Sequence, residues 1–98
     1  MNKVLCSYYI GLNDKDTHKQ EITINEALNF IGEVMSFAGI DSYTTSLVQG
    51  HYKNELENTI KLDIIGVALS QYYINSIKAR LNQECIMELC SEVDCNFI

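Results

Sequence analysis

Apolar residues run almost without a break from Lys3 to Leu12 (KVLCSYYIGL), a stretch of strand length rich in β-branched and aromatic side chains. Such continuity suits a central strand with one face against helices. Gly11 ends it, and Asn13 and Asp14 favour an Asx-type turn. The period then changes. Across residues 23–39 (TINEALNFIGEVMSFAG), Ile24, Ala27, Leu28, Ile31, Val34, Met35 and Ala38 recur at helical spacing and predict one apolar stripe facing a core. Thr23 with Glu26 three residues later fits a capping box, and Gly39 is placed to stop the helix.

Strand character returns over Ser42–Tyr52 (SYTTSLVQGHY) and again over Thr59–Gly66 (TIKLDIIG), where Ile60, Leu62 and Ile64 alternate with Lys61 and Asp63. The polar HYKNELEN between them reads as a hairpin connection of roughly five to seven residues, longer than the tightest turns. Ser70 can cap a second helix with Tyr73, Ile74, Ile77 and Leu81 inward and Asn82 near its end. Cys85–Cys90 (CIMELC) predicts the fourth strand, with SEVDCNFI as a tail that extends it. The order β-α-β-β-α-β is the ferredoxin-like signature, an α+β fold with a four-stranded antiparallel sheet and two helices on one face. Right-handed crossovers give the strand order 4-1-3-2. A chain of 98 residues, 47% of them apolar, suits one domain over 1–98 with one two-layer core.

This topology gathers three connections at one end of the sheet: Asn13–Ile22, the hairpin around Tyr52–Asn58, and the turn at Leu81–Glu84. The first helix starts there as well, offering free backbone N–H groups and a partial positive charge. Lys15, Lys19, Lys53 and Arg80 fall at or near that end, with both histidines, His18 and His51, although the chain carries a net charge of −6. Basic groups beside a helix N-terminus suit a phosphate or carboxylate. Candidate ligand contacts are therefore Asn13, Lys15, His18, Lys19, Gly50, His51, Tyr52, Lys53, Arg80 and Gln83. Asp14, Asp16, Glu21, Glu55, Glu57 and Glu84 share the same end, which is also the composition of a solvated rim. A ligand loop and a solvated connection both stay open at this point.

Charge excludes some classes. An acidic chain disfavours contact along a nucleic-acid backbone, which needs a basic face. No apolar run approaches the length of a membrane span, and the N-terminal stretch lacks a signal-peptide core and cleavage pattern, so a cytoplasmic protein is expected. For a reducing compartment, Cys6, Cys85, Cys90 and Cys95 read as buried apolar thiols, since none forms a C-x-x-C pair and their spacing fits no zinc site. Glu88, Glu92 and Asp94 make the C-terminal region acidic and are candidate contacts for a basic partner. Tyr8 and Tyr9 must face opposite sides of the sheet, so one lies on the face without helices, where a second subunit could pack. His18 or His51 could act as a general base, but no nucleophile elbow, phosphate loop or paired-carboxylate pattern accompanies them.

Four stretches, YYIGL, GHY, ENTIKLDI and LNQECIM, together resemble a family of small bacterial and phage proteins. That family carries an aromatic-x-Gly-Leu strand, a Gly-x-Tyr/Trp strand end, a Glu before the third strand and a Gln-Glu-x-Val-like entry to the fourth. Here Cys85 and Ile86 stand where a small residue and valine are usual. The resemblance implies a ferredoxin-like fold in an oligomer, and marks Gly11, Gly50, Tyr52, Glu57, Gln83 and Glu84 as motif positions. More loosely, the chain is similar to phage proteins that inhibit host defence by sequestering a signalling nucleotide or blocking an effector.

The expectation that follows is a non-catalytic, homo-oligomeric binding protein of phage or prophage origin, without cofactor or metal. It would sequester a small anionic, nucleotide-like ligand or inhibit a host defence component. The first alternative is an acidic inhibitor that contacts a host protein through Glu88, Glu92 and Asp94. The second is a small enzyme using a loop histidine.

Overall fold

The structure is a computed structural model and describes residues 2–98. Its elements run β1 (Asn2–Gly11), α1 (Ile24–Phe37), β2 (Thr44–Tyr52), β3 (Glu55–Ile65), α2 (Gln71–Arg80) and β4 (Met87–Asp94). The four strands form one antiparallel sheet in the order β2-β3-β1-β4, the ferredoxin-like arrangement expected from the β-α-β-β-α-β pattern.

Period-two alternation divides β1 between two environments. Cys6, Tyr8, Ile10 and the following Leu12 are fully buried, and register places Cys6, Tyr8 and Ile10 beside Ile64, Leu62 and Ile60 of β3. The inward stripes of both helices close over this row through Ala27, Ile31, Val34, Met35 and Ile77, with Leu81 just beyond α2. The odd-numbered positions, Ser7, Tyr9 and Gly11 among them, face the side without helices. Ile65, Met87 and Leu89 share that open face by register and remain exposed.

Helix α1 starts as its sequence dictates. Thr23 Oγ1 accepts the Glu26 N–H at 3.1 Å and donates to the Glu26 carboxylate at 2.9 Å. Gly39 ends it in the left-handed region at φ 73°, and Ile40 donates its N–H back to the Met35 carbonyl. Helix α2 differs: Ser70 precedes it but makes no side-chain capping bond. Its far end is the better-built one. Asn82 takes φ 48°, its N–H reaches Ala79 C=O, and the Gln83 N–H reaches Lys78 C=O at 2.9 Å, a Schellman closure with asparagine in place of glycine.

Two boundaries and the state of the cysteines depart from the sequence reading. The β2–β3 hairpin turns on Lys53 and Asn54 alone, both left-handed (φ 50° and 66°), so residues read as a longer connection belong to the strands. A two-residue turn of that hand matches strand twist, which repays the left-handed cost of a lysine. Strand β4 begins at Met87 rather than Cys85, and it continues to Asp94 through the expected tail extension, because its partner β1 runs down to Asn2. The thiols are not uniformly buried either. Cys6 and Cys90 stand directly opposite across the β1–β4 pair and form a disulfide, leaving Cys85 exposed and Cys95 half-buried as free thiols. Register set by the sheet brings together two cysteines 84 positions apart. Among the described residues no helix is long and apolar enough to cross a membrane.

One buried polar link joins sheet to helix layer. The Tyr8 hydroxyl accepts the Leu69 N–H at 2.7 Å, and Glu88 is the cross-strand neighbour of Tyr8 on β4. Burial and then the Glu88 contact push its pKa up to about 12, while the Leu69 bond opposes the rise. Tyr8→Phe is expected to strand the buried Leu69 N–H and destabilise the fold by about 1–3 kcal/mol, read as a lower urea midpoint at unchanged slope. Thiol titration of the native protein under non-reducing conditions should count two groups, Cys85 and Cys95, and four after reduction in denaturant; four at the outset would remove the Cys6–Cys90 link.

Candidate functional site

The loop after β1 is tied down along its length. Asp14 Oδ1 accepts the N–H groups of Asp16 and Thr17 at 2.8 and 3.0 Å, the expected Asx turn. Asn82 Nδ2 donates to Asp14 at 3.0 Å and to Asp16 at 2.8 Å, and Lys15 donates its N–H to the Asn82 carbonyl. The capping asparagine of α2 therefore anchors the loop. On the other side, His18 Nδ1 lies 3.0 Å from a Glu55 carboxylate oxygen, and Asn58 donates to Gln20 Oε1 at 2.8 Å. These bonds make the segment an ordered wall, not a loose connection.

That wall, the β2–β3 hairpin and the 83–87 connection enclose a cleft of about 770 Å³ at one end of the open sheet face, within the range of small-molecule sites. Two glycines shape its floor. A Cβ on Gly11 would meet the Glu57 carboxylate at 2.4–2.6 Å, so the missing side chain is what lets Glu57 lie across β1. There Glu57 Oε2 accepts the Asn13 N–H at 3.0 Å. A Cβ on Gly50 would likewise meet Thr59 Oγ1 at 2.6 Å. Gln83, from the opposite side, donates Nε2 to the Asn13 carbonyl at 2.6 Å.

Asn13, Lys15, His18, Gly50, His51, Tyr52, Lys53 and Gln83 all line the cleft, as candidate residues read from the sequence. Lys19 and Arg80 do not. Arg80 lies over the Phe30 ring on the helix side of the sheet, at 5.8 Å. Lys19 is exposed in the loop, where its carbonyl accepts the Asp14 N–H. The N-terminus of α1 is also absent from the lining, because it sits on the covered face while the cleft opens on the bare one. Glu88, Glu92 and Asp94 alternate along β4 opposite Tyr8, Val4 and Asn2, placing all three on the helix side and away from the cleft. Tyr9, Cys85 and Met87 are lining residues outside the candidate ligand contacts, Tyr9 being one of two residues that could, on sequence alone, face a second subunit; Tyr9 and Met87 are cross-strand partners on the open face. Adjacency of Tyr9 to Gly11 in period two was the available signal.

The electrostatics reverse the expected sign. Asp14, Asp16, Glu55, Glu57 and Glu84 line the cleft against Lys15 and Lys53. Lys53 Nζ is itself engaged with Glu84, at 3.0 and 3.2 Å, and lies 5.4 Å over the Tyr52 ring. An anion would enter against net negative charge, whereas a cation is favoured. The Tyr52 hydroxyl donates to Glu84 at 2.9 Å and receives the Cys85 thiol at 3.7 Å. The Cys85 and then the Glu84 contact hold the tyrosine pKa above its ordinary value. Lys53, then Tyr52, hold the Glu84 carboxyl below its ordinary value of 4.5. Asp14 is lowered too, chiefly by the Asn82 bond. Among the described residues no cluster of His, Cys, Asp and Glu has the arrangement to hold a metal ion.

A lowered folded pKa contributes stability present above the unfolded value and lost as pH falls through the folded one. The Lys53–Tyr52–Glu84 group should therefore loosen only on acidification below 4.5. Side-chain NMR titration is expected to find Glu84 ionising below that value, and Lys53→Met to move it upward. A Glu84 midpoint unchanged by that substitution would break the assignment.

No protein-family profile matches the chain, and no curated protein matches it in sequence. Solved structures do match in fold. A phage SAM lyase in its apo state superposes with a TM-score of 0.71 at 19% identity, covering 93% of this chain and 81% of that one. A phage SAM lyase in complex with S-methyl-5′-thioadenosine gives 0.63 at 18% identity, with 92% and 81% covered. LarC2, the C-terminal domain of a cyclometallase involved in synthesis of the NPN cofactor of lactate racemase, gives 0.51 at 12%, covering 96% of this chain and 58% of that one. The first two are phage-encoded enzymes that share this fold over nearly the whole chain. The expectation of a non-catalytic protein sequestering an anion or blocking a host component is corrected on that finding, and the acidic lining of the cleft gives the physical reason against an anion.

Proposed function

We propose that this protein is an enzyme of the lyase class that cleaves a sulfonium nucleoside, S-adenosylmethionine or a close relative, and releases S-methyl-5′-thioadenosine. The observation that carries the reading is the acidic cleft on the open sheet face, with Glu57 seated over Gly11 and held by the Asn13 N–H. A sulfonium is a permanent cation that donates no hydrogen bond. It is recognised by carboxylates and by polarisable faces, here Glu57 and Glu84 with Tyr52. Phage SAM lyases share the fold, and one of them holds S-methyl-5′-thioadenosine.

In the reaction, the electron pair of the breaking C–S bond stays on sulfur, which becomes the neutral thioether of the nucleoside product. The carbon fragment completes its valence without water, either through its own carboxylate oxygen or by losing a proton to a base. Glu57 is the group placed for such a base, because its carboxylate is half-buried and fixed by one backbone donor. The neutral product no longer attracts the acidic rim, which favours its release. Exposed Ile65 and Leu89 on the open face, outside the cleft lining, support a homo-oligomer as the working form.

Incubation with S-adenosylmethionine is expected to give time-dependent S-methyl-5′-thioadenosine by liquid chromatography. Glu57→Gln should lower kcat by about a hundredfold or more. The assayed species' mass, read by native mass spectrometry, should exceed one chain; an active monomer would remove the oligomer. No turnover together with no binding of either compound at millimolar concentration would overturn the reading.

A further inference from the structure

Gln83 is only 8% exposed, yet it lines the cleft. Its backbone is fixed by the Schellman closure of α2, through the bond to Lys78 C=O. Its side chain is fixed as well: Nε2 donates to the carbonyls of Asn13 at 2.6 Å and Leu81 at 3.3 Å. Both amide hydrogens are thereby used, and two carbonyl partners establish which terminal atom is nitrogen. Among the described residues no donor bonds Oε1, and no side-chain N or O atom is both buried and unpartnered. The amide oxygen is therefore left as an unused acceptor on a residue that lines the cleft, with the amide plane held by the two bonds from Nε2 before any ligand arrives.

The surface beside it suits a flat ring. Cys85 and Met87 follow Gln83 at two-residue spacing, Met87 pairs with Tyr9 across the strands, and the Cys85 thiol reaches the Tyr52 hydroxyl. A strip of sulfur and aromatic faces thus leads to a single fixed acceptor. A nitrogen that carries only donor hydrogens at the edge of a heteroaromatic ring completes such an arrangement. An oxygen there would set two acceptors against each other.

We propose that Gln83 Oε1 receives the exocyclic amino group of an adenine base lying along Tyr9 and Met87, so that Gln83 separates aminopurine from oxopurine nucleosides. The inference rests on the adenosyl reading of the cleft and adds the residue that reads the base.

Calorimetry with S-methyl-5′-thioadenosine and its 6-oxo counterpart, 5′-methylthioinosine, tests it. The wild-type protein is expected to bind the adenine compound at least about tenfold more tightly, since a site built around a hydrogen bond rejects the analogue lacking it. Gln83→Met should bring the two affinities within about twofold. A structural role alone would weaken both compounds equally and keep their ratio. Because that variant also strips a donor from two carbonyls, the N6,N6-dimethyl analogue is measured on the wild-type protein, where it should bind as weakly as the 6-oxo compound. Equal wild-type affinities, or an unchanged ratio in Gln83→Met, would overturn the assignment while leaving the adenosyl cleft in place. Wild-type binding of none of these nucleosides, nor of S-adenosylmethionine, would overturn both.

Discussion

Strand β1 is hydrogen-bonded along both edges, to β3 and to β4, and cannot shift by one residue without breaking two ladders and turning its buried row to solvent. Cys6, Tyr8 and Ile10 hold it in register from the helix side, and Tyr8 adds a polar tie to Leu69. The same register fixes the other face. Tyr9 and Gly11 must point into the cleft, and the chain continues into Asn13 with both sides of its peptide claimed. Glu57 takes the N–H and Gln83 meets the carbonyl. The floor of the cleft is thus the face of the core strand turned away from the helices, and core stability and site geometry share one constraint.

Two devices then place charge on that floor. Absence of a side chain at Gly11 lets a carboxylate lie where a β-carbon would stand, close to a backbone donor and partly out of water. Pairing of Lys53 with Glu84 neutralises one of the cleft's two lysines within the wall itself. The pair cancels one charge of each sign, so what faces a ligand stays net acidic, with Asp14, Asp16, Glu55 and Glu57 against Lys15. Lys19 and Arg80 belong to the same end in sequence but lie outside the cleft, Arg80 against Phe30.

Legibility in the sequence followed the range of each interaction. Helix α1 was plain because its stripe, its Thr23–Glu26 cap and its Gly39 stop are local patterns. The two-residue hairpin was not, since Lys53 and Asn54 carry no glycine to announce a left-handed turn and the flanking strand residues are polar. Strand β4 starts two residues later than its composition suggested because its length is dictated by pairing with β1. Most of the candidate residues line the cleft because the topology brings their connections together; Tyr9 was legible only as an open-face aromatic, and Cys85 and Met87 sit on strand or approach positions that read as ordinary apolar residues.

Periodicity, caps and element order, all properties of neighbours a few residues apart, were enough to establish the ferredoxin-like arrangement and the end of the sheet where loops meet. The pairing of Cys6 with Cys90, the bare face on which the cleft opens and the sign of its charge required the folded chain. Each depends on register, and in a sheet a single-residue step sends a side chain to the opposite face. The run YYIGLNDKDTHKQE contains its strand, its glycine and its charges, but only packing against β3 and α2 decides that Glu57 fills the space over Gly11 and Asn82 holds the loop.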